Sequence, residues 1–223
     1  MEKKKNDFIA QGSILAIASI LVRVMGMIYR IPMTAIIGDK GNGFYSYAYS
    51  VYTILLLLSS YSLPLAVSKM VSAKAQLGQW RNVKRVFICA IAFAIGIGTT
   101  FGLTVLIGAQ FFTRVFFHSE LAAIALRFMA PTILIMALLG VFRGFFQGLQ
   151  NTLPTAVSQI VEGLINAIMS VVFAYFLFDF GHGMDVASGT TDLGYAWGAA
   201  GGAIGTGAGA LAGCLLYTSP SPR

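Results

Sequence analysis

The stretch VFICAIAFAIGIGTTFGLTVLIGAQFFT, residues 86–113, runs for 28 residues without a charged side chain. A helix needs about 20 predominantly apolar residues to cross the hydrocarbon core of a bilayer. Residues 41–68 form a second uncharged run of the same length. Together these runs predict transmembrane helices and indicate an all-α, polytopic membrane protein.

The composition of the whole chain agrees with this class. Its 223 residues are 57% hydrophobic and only 10% charged, whereas a soluble domain carries about 25% charged residues. The mean hydropathy is +0.78. A transmembrane β-barrel would show alternating segments of about ten residues, and this pattern does not occur in the sequence.

Hydropathy and charge divide the chain into six predicted helices, each long enough to span a membrane. Their predicted bounds are residues 12–37, 43–68, 86–110, 121–142, 154–178 and 193–216. Nine basic residues then fall on one side of the membrane: Lys3, Lys4, Lys5, Lys69, Lys74, Arg81, Lys84, Arg85 and Arg143. The positive-inside rule therefore predicts a cytoplasmic N-terminus in a bacterial plasma membrane.

The net charge of +7 does not indicate a nucleic-acid partner, because the basic residues cluster at the ends of the predicted spans. Cys89 and Cys214 lie within apolar runs and suggest neither a disulfide nor a metal site. His118 and His182 stand alone in predicted loops. We therefore expect no enzyme activity, no cofactor and no metal.

Two arginines lie inside the first predicted helix. Arg23 and Arg30 are seven residues apart, which puts them within about 20° of each other on the helix surface. Arg23 falls near the middle of the membrane, where an unpaired arginine costs at least about 2.5–3.5 kcal/mol. We expect this face to border a water-filled, anion-attracting cavity. The alternative is a structural arginine that bonds carbonyls freed by a kink at Pro32.

The fifth predicted helix carries a polar stripe with a carboxylate in it. The stripe recurs at spacings of three and four residues and consists of Thr155, Gln159, Glu162, Asn166 and Ser170. A carboxylate in hydrocarbon must be paired, hydrated or protonated. We hypothesise that helices one and five face a common cavity and that Glu162 neutralises Arg23; a purely structural role for Glu162 is the alternative.

Two further patterns concern the second and sixth predicted helices. Tyr52 lies deeper than the interfacial tyrosines of the second helix and is expected, with Glu162 and Asn166, to line the cavity. In the sixth helix, glycines four residues apart predict close packing of helix backbones in lipid. These glycines are Gly194, Gly198 and Gly202, and Gly201, Gly205, Gly209 and Gly213.

Four segments carry a family resemblance: RVMGMIYR (23–30), IIGDKGNGFYSYAYSVY (36–52), SLPLAVSKMVS (62–72) and GFFQGLQNTLPTAVSQIVEG (144–163). They resemble the polysaccharide-type flippases of the multidrug/oligosaccharidyl-lipid/polysaccharide exporter superfamily, in the stage V sporulation protein B and MurJ-like group. The resemblance implies two six-helix lobes that work by alternating access, with this chain as the N-terminal lobe and a C-terminal lobe of the same protein as its partner.

The resemblance also implies a cargo and binding residues. The cargo would be a polyprenyl-diphosphate-linked sugar, such as lipid II or a lipid-linked oligosaccharide, moved from the inner to the outer leaflet. Arg23 and Arg30 match the first-helix arginines of the MurJ-type cavity, and Asp39 matches the acid in the following loop. The arginine expected in the second helix is absent, because that segment is rich in Tyr and Ser.

Two other functions stay open at this point. A drug/cation antiporter of the same superfamily would favour acids over arginines in the cavity. A membrane scaffold without transport would have no need of charge inside the membrane. The last residues, 217–223, resemble a non-native tail, and we expect the chain to be a fragment on this basis.

Overall fold

The computed structural model describes the backbone of residues 2–60 and 62–218, and the side chains of residues 12–59 and 62–217. Every regular element in these ranges is an α-helix, as the sequence predicts. The elements are α1 (Glu2–Ser60), α2 (Leu63–Gln76), α3 (Trp80–Phe117), α4 (Ala122–Gly148), α5 (Leu153–Ser188) and α6 (Leu193–Thr218).

Five stretches of the described chain are long and apolar enough to cross a membrane, one fewer than the six predicted. The difference arises at the start of the chain, where the first two predicted spans form the single stretch Gly12–Gln76. Within α1, Gly38 alone has non-helical dihedrals, with φ 62° and ψ −177°. A positive φ favours glycine because it has no Cβ, so this glycine allows the chain to bend there.

The bend folds α1 back on itself, giving a first arm (residues 2–37) and a second arm (residues 39–60). Ser19 lies 19 residues before Gly38 and hydrogen-bonds Gln159. Leu56 lies 18 residues after Gly38 and lines a cavity with the same Gln159. Nearly equal distances from the bend thus reach the same point of α5. The first arm corresponds to the first predicted span, whereas the second predicted span, 43–68, is divided between the second arm and α2. Pro32 lies inside the helix, and the break comes at Gly38.

α6 packs on α1, α4 and α5, and its glycines let two of these neighbours, α1 and α5, approach closely. A Cβ added to Gly205 would collide with Ser170 of α5, and one added to Gly209 would lie 2.6 Å from the carbonyl oxygen of Glu162. Nearer the bend of α1, a Cβ at Gly198 would lie 2.7 Å from Ile37 Cγ2 and 3.3 Å from Phe178 of α5. The series that begins at Gly201 therefore packs on α5, whereas the series that begins at Gly194 packs on both α5 and α1.

The end of the bundle near the bend is held by polar contacts. The buried Asp185, near the end of α5, accepts hydrogen bonds from Leu193 N (3.0 Å) and Gly194 N (2.8 Å) at the start of α6. It thereby satisfies backbone donors that a helix leaves unpaired at its N-terminus. Lys40, just after the bend, pairs with Asp192 at 3.0 Å.

At the opposite end, α4 packs on α2 through two more glycines. A Cβ on Gly144 would meet Pro64, and one on Gly148 would meet Ser68 and Val71. α4 therefore continues six residues past its predicted end at residue 142. Of the proposed non-native tail, Tyr217 and Thr218 continue α6, and residues 219–223 lie outside the described part of the chain.

Changing Gly205 to Ala tests the α5–α6 contact. The added methyl group has no room against Ser170, and overpacking of this kind costs about 1–3 kcal/mol of unfolding free energy. Gly96→Ala is the matched control, because no atom lies within 4 Å of a Cβ placed there; it should be neutral or stabilising by up to about 1 kcal/mol. Unfolding in detergent measures both, and equal stability of the two variants would refute the packing role.

Candidate functional site

The polar stripe of α5 is divided between two environments. Its later part packs on α6: the Ser170 hydroxyl donates to Asn166 Oδ1 at 2.8 Å and is also 3.2 Å from the carbonyl oxygen of Gly202. Ser170 is fully buried. Its earlier part, Gln159 and Glu162, faces α1 and α4. Only this earlier part is therefore available to a cavity.

Glu162 forms an ion pair with Arg143 of α4. Arg143 Nη2 donates to Glu162 Oε2 at 2.5 Å and lies 3.1 Å from the hydroxyl oxygen of Ser158, one turn earlier on α5. The exposed fractions of the two side chains are 15% and 22%. In the described part of the chain this is the least exposed of three ion pairs. The low exposure strengthens the attraction and leaves either partner costly to remove alone.

A cavity of about 290 Å³ lies beside this pair. It is bounded by the end of the second arm of α1, the start of α2, α4 and α5. Its lining residues are Leu56, Pro64, Met136, Gly140, Arg143, Gln147 and Gln159. The guanidinium and the two amide side chains give this apolar bundle a polar compartment with several hydrogen-bond donors.

The first arm of α1 packs on α5 beside the cavity. The Ser19 hydroxyl is 3.4 Å from Gln159 Oε1. Val22 and Met25 approach Gly163 so closely that a Cβ on this glycine would be 3.1 Å from Met25 Cε. Helices one and five therefore pack directly against each other at the polar stripe, whereas a common cavity was expected; among the first arm's described residues, none lines the cavity.

The predicted pairing of Glu162 with Arg23 is wrong in this structure, because Glu162 pairs with Arg143. Arg23 and Arg30 are exposed, and among the described residues neither makes an ion pair. Arg23 follows Ser19 by four residues, which places it about 40° further round the helix. Arg23 thus lies beside the face of α1 that contacts α5. Its depth in the membrane is similar to that of Glu162, but its side chain leaves the helix in a different direction.

The other predicted binding residues are distributed over the bundle. Asp39 is exposed beside the bend. Tyr52 is 3% exposed within a hydrophobic cluster that includes Met33, Tyr45 and Met129. Asn166 accepts from Ser170. Of the predicted residues, Glu162 alone is paired with a side chain that lines the polar cavity, and the binding roles of all six stay predictions.

Arg143 is the residue that sequence reasoning assigned differently, as a topology determinant in a cytoplasmic turn. The assignment followed from ending the fourth helix at residue 142. The spacing of Gly140, Gly144 and Gly148 indicates a packed helical face that continues to Gly148. With that extension, Arg143 lies inside the helix about 7.5 Å from its end, and its side chain needs a partner.

No group of three or more His, Cys, Asp or Glu side chains suited to a metal ion occurs in the described part of the chain. The site is therefore an ion pair with amide neighbours.

These features define a membrane-embedded helical bundle with a polar cavity. Residues 8–212 match the family described as polysaccharide biosynthesis protein. The chain belongs to this family, and the resemblance given by its sequence motifs is confirmed at that level.

Two curated relatives come from Bacillus subtilis (strain 168). The chain is 26% identical over 200 residues to the protein named lipid II flippase MurJ, covering 86% of this chain and 37% of the relative. It is 26% identical over 174 residues to stage V sporulation protein B, covering 78% and 34%. The chain thus spans little more than a third of the length of these relatives. No solved structure matches it.

A double-mutant cycle tests whether Arg143 and Glu162 are coupled. Arg143→Gln and Glu162→Gln should each lower the unfolding free energy by up to about 3–5 kcal/mol, the cost of leaving a buried charge without its partner. The double variant should be more stable than the sum of these effects implies, and unfolding in detergent measures the coupling.

Lys40→Gln and Asp192→Asn give the matched cycle for an exposed pair, whose side chains are 64% and 38% exposed. Its coupling should stay within about 0–1 kcal/mol. If the Arg143–Glu162 coupling is no larger than this, the pair does not have the role assigned to it.

Proposed function

We propose that this chain is the N-terminal lobe of a flippase that moves a polyprenyl-diphosphate-linked sugar from the inner to the outer leaflet by alternating access. Family membership supports the transport class. The observation that carries the proposal is the cavity beside the Arg143–Glu162 pair, because charged and amide side chains inside an apolar bundle mark a route for a polar group.

The depth of the cavity, measured from the helix ends, places it just below the headgroup layer. Arg143 lies five residues from the end of α4, about 7.5 Å along the axis, and Gln159 lies six residues from the start of α5, about 9 Å along it. The headgroup layer occupies about 5–7 Å on each side of the hydrocarbon core. A guanidinium at this level is suited to phosphate oxygens, which it binds through two parallel hydrogen bonds.

The direction of transport rests on the orientation of the bundle. The cavity lies at the end of α4 and the start of α5, together with α2 and its exposed Lys69. The positive-inside rule assigns this end to the cytoplasm. Lipid-linked precursor would then enter from the inner leaflet, in a bacterial plasma membrane with the N-terminus inside.

The balance of charge favours an anionic cargo over a cationic drug. Glu162 is already paired with Arg143, while Arg23 and Arg30 on the flank of α1 add positive charge. A scaffold without transport gives no reason for the buried pair, which is a costly way to stabilise a bundle.

A transport assay tests the proposed function. The complete protein is expressed from its full reading frame and reconstituted into liposomes. We expect a fluorescent polyprenyl-diphosphate-linked sugar to reach the opposite leaflet faster than in protein-free liposomes, and a cationic dye to stay behind. Movement of the dye without the sugar lipid would favour the antiporter, and movement of neither would favour the scaffold.

Cysteine labelling tests the orientation. In a Cys89→Ala/Cys214→Ala background, Gln79→Cys lies in the turn between α2 and α3, and Glu120→Cys lies between α3 and α4. An impermeant maleimide added to intact cells should label Glu120→Cys and leave Gln79→Cys unlabelled until the membrane is opened. The reverse pattern would contradict the proposed direction.

A further inference from the structure

The Arg143–Glu162 pair bridges two helices that have little other direct contact. α4 packs mainly on α3 and α6, and α5 packs mainly on α6 and the first arm of α1. At the cavity, the link between α4 and α5 consists of Arg143 Nη2 with Glu162 and Ser158. Breaking this pair therefore removes a polar connection without unpacking an apolar interface.

The guanidinium has binding capacity that this pair does not use. Both of its hydrogen bonds are made by Nη2, whereas Nε is buried and has no hydrogen-bond partner in the described part of the chain. A guanidinium carries five N–H donors in a planar fork. An acceptor with several oxygens satisfies such a fork better than one carboxylate oxygen.

The cavity beside this fork is suited to a small anion. Arg143 is its only charged lining residue, and Gln147 and Gln159 contribute amide donors. Its volume of about 290 Å³ is at the lower limit of ligand pockets, about 300–1,000 Å³. That space holds a diphosphate but not a whole lipid-linked sugar.

We propose that Arg143, Gln147 and Gln159 form a diphosphate subsite, and that Glu162 is an exchangeable counter-ion that occupies Arg143 when the subsite is empty. This rests on the proposed function and assigns a position within it. Diphosphate oxygens displace the Glu162 carboxylate from the guanidinium, and the displaced carboxylate is hydrated in the cavity. No bond is made or broken covalently.

Exchange explains why the pair is an acid and a base. A buried arginine without a partner is unstable, so an empty subsite needs an internal anion. An ion that binds too firmly would exclude the cargo. One carboxylate held through a single guanidinium nitrogen meets both demands.

The direct test of the diphosphate subsite is to measure the affinity of a diphosphate probe for the complete protein in nanodiscs. The probe is farnesyl diphosphate, which combines a polyprenyl chain with the head group; farnesol and inorganic diphosphate separate these two parts. Glu162→Gln removes the competing charge and should bind farnesyl diphosphate about tenfold or more tightly than the wild type. Arg143→Gln should bind it at least about tenfold more weakly.

Two variants serve as controls. Arg143→Lys keeps the charge but loses the fork, and it should fall between the wild type and Arg143→Gln. Arg127→Gln removes an exposed arginine near the other end of α4 and should leave the affinity unchanged. The melting temperature of each variant shows that it is folded; if Glu162→Gln is not, Glu162→Asp weakens the same pair and should also raise the affinity.

The outcomes separate the alternatives. Weaker binding by both Glu162→Gln and Glu162→Asp would overturn the exchange, since the pair would then be needed to shape the site. Equal binding of inorganic and farnesyl diphosphate would overturn the assignment to a lipid head group. Wild-type transport with unchanged affinity in Glu162→Gln and Arg143→Gln refutes the subsite alone; no transport and no binding refutes the proposed function as well.

Discussion

The ion pair between Arg143 and Glu162 is the interaction on which the candidate site of this bundle depends. A carboxylate on a membrane helix requires a partner. Arg143 of α4 supplies it, immediately before the packing contacts that Gly144 and Gly148 make with α2. The glycine-rich α6 brings α5 close and buries the later half of its polar stripe. Of the rest of the stripe, Gln159 lines the cavity and Glu162 is paired with Arg143, which also lines it. Charge pairing and backbone packing together define the cavity that Arg143, Gln147 and Gln159 line.

Much of the fold was predictable because lipid imposes simple rules. Uncharged runs predicted the helices, and glycine spacing predicted the tight packing of α6. The number of membrane-spanning stretches is five and not six, because α1 continues as a helix through the loop predicted between the first two spans and only bends there, at Gly38. Such a bend depends on one backbone conformation, which hydropathy does not register.

The site was less predictable because the depth of a residue along its helix does not specify the direction in which its side chain points. Arg23 and Glu162 lie at comparable depths, and this suggested a pair. The rotation of α1 instead turns Ser19 to Gln159 and leaves Arg23 on the flank. The pairing of Arg143 was not predicted because the polar residues after it are typical of a turn. In the structure, contacts with α2 accompany a continuation of α4 to Gly148. Partner choice between buried charges is set by helix rotation and helix ends, the two quantities that a single sequence defines least well.

We propose an exchangeable charge just below the headgroup layer, and one measurement tests this proposal most directly. It is the separation of Arg143 and Glu162 in an experimental structure of the complete protein in nanodiscs, with and without a polyprenyl diphosphate. We expect hydrogen-bond contact without the ligand; with it, phosphate oxygens should lie on the guanidinium and the Glu162 carboxylate should be displaced. An intact pair, with the diphosphate bound elsewhere, would contradict the account.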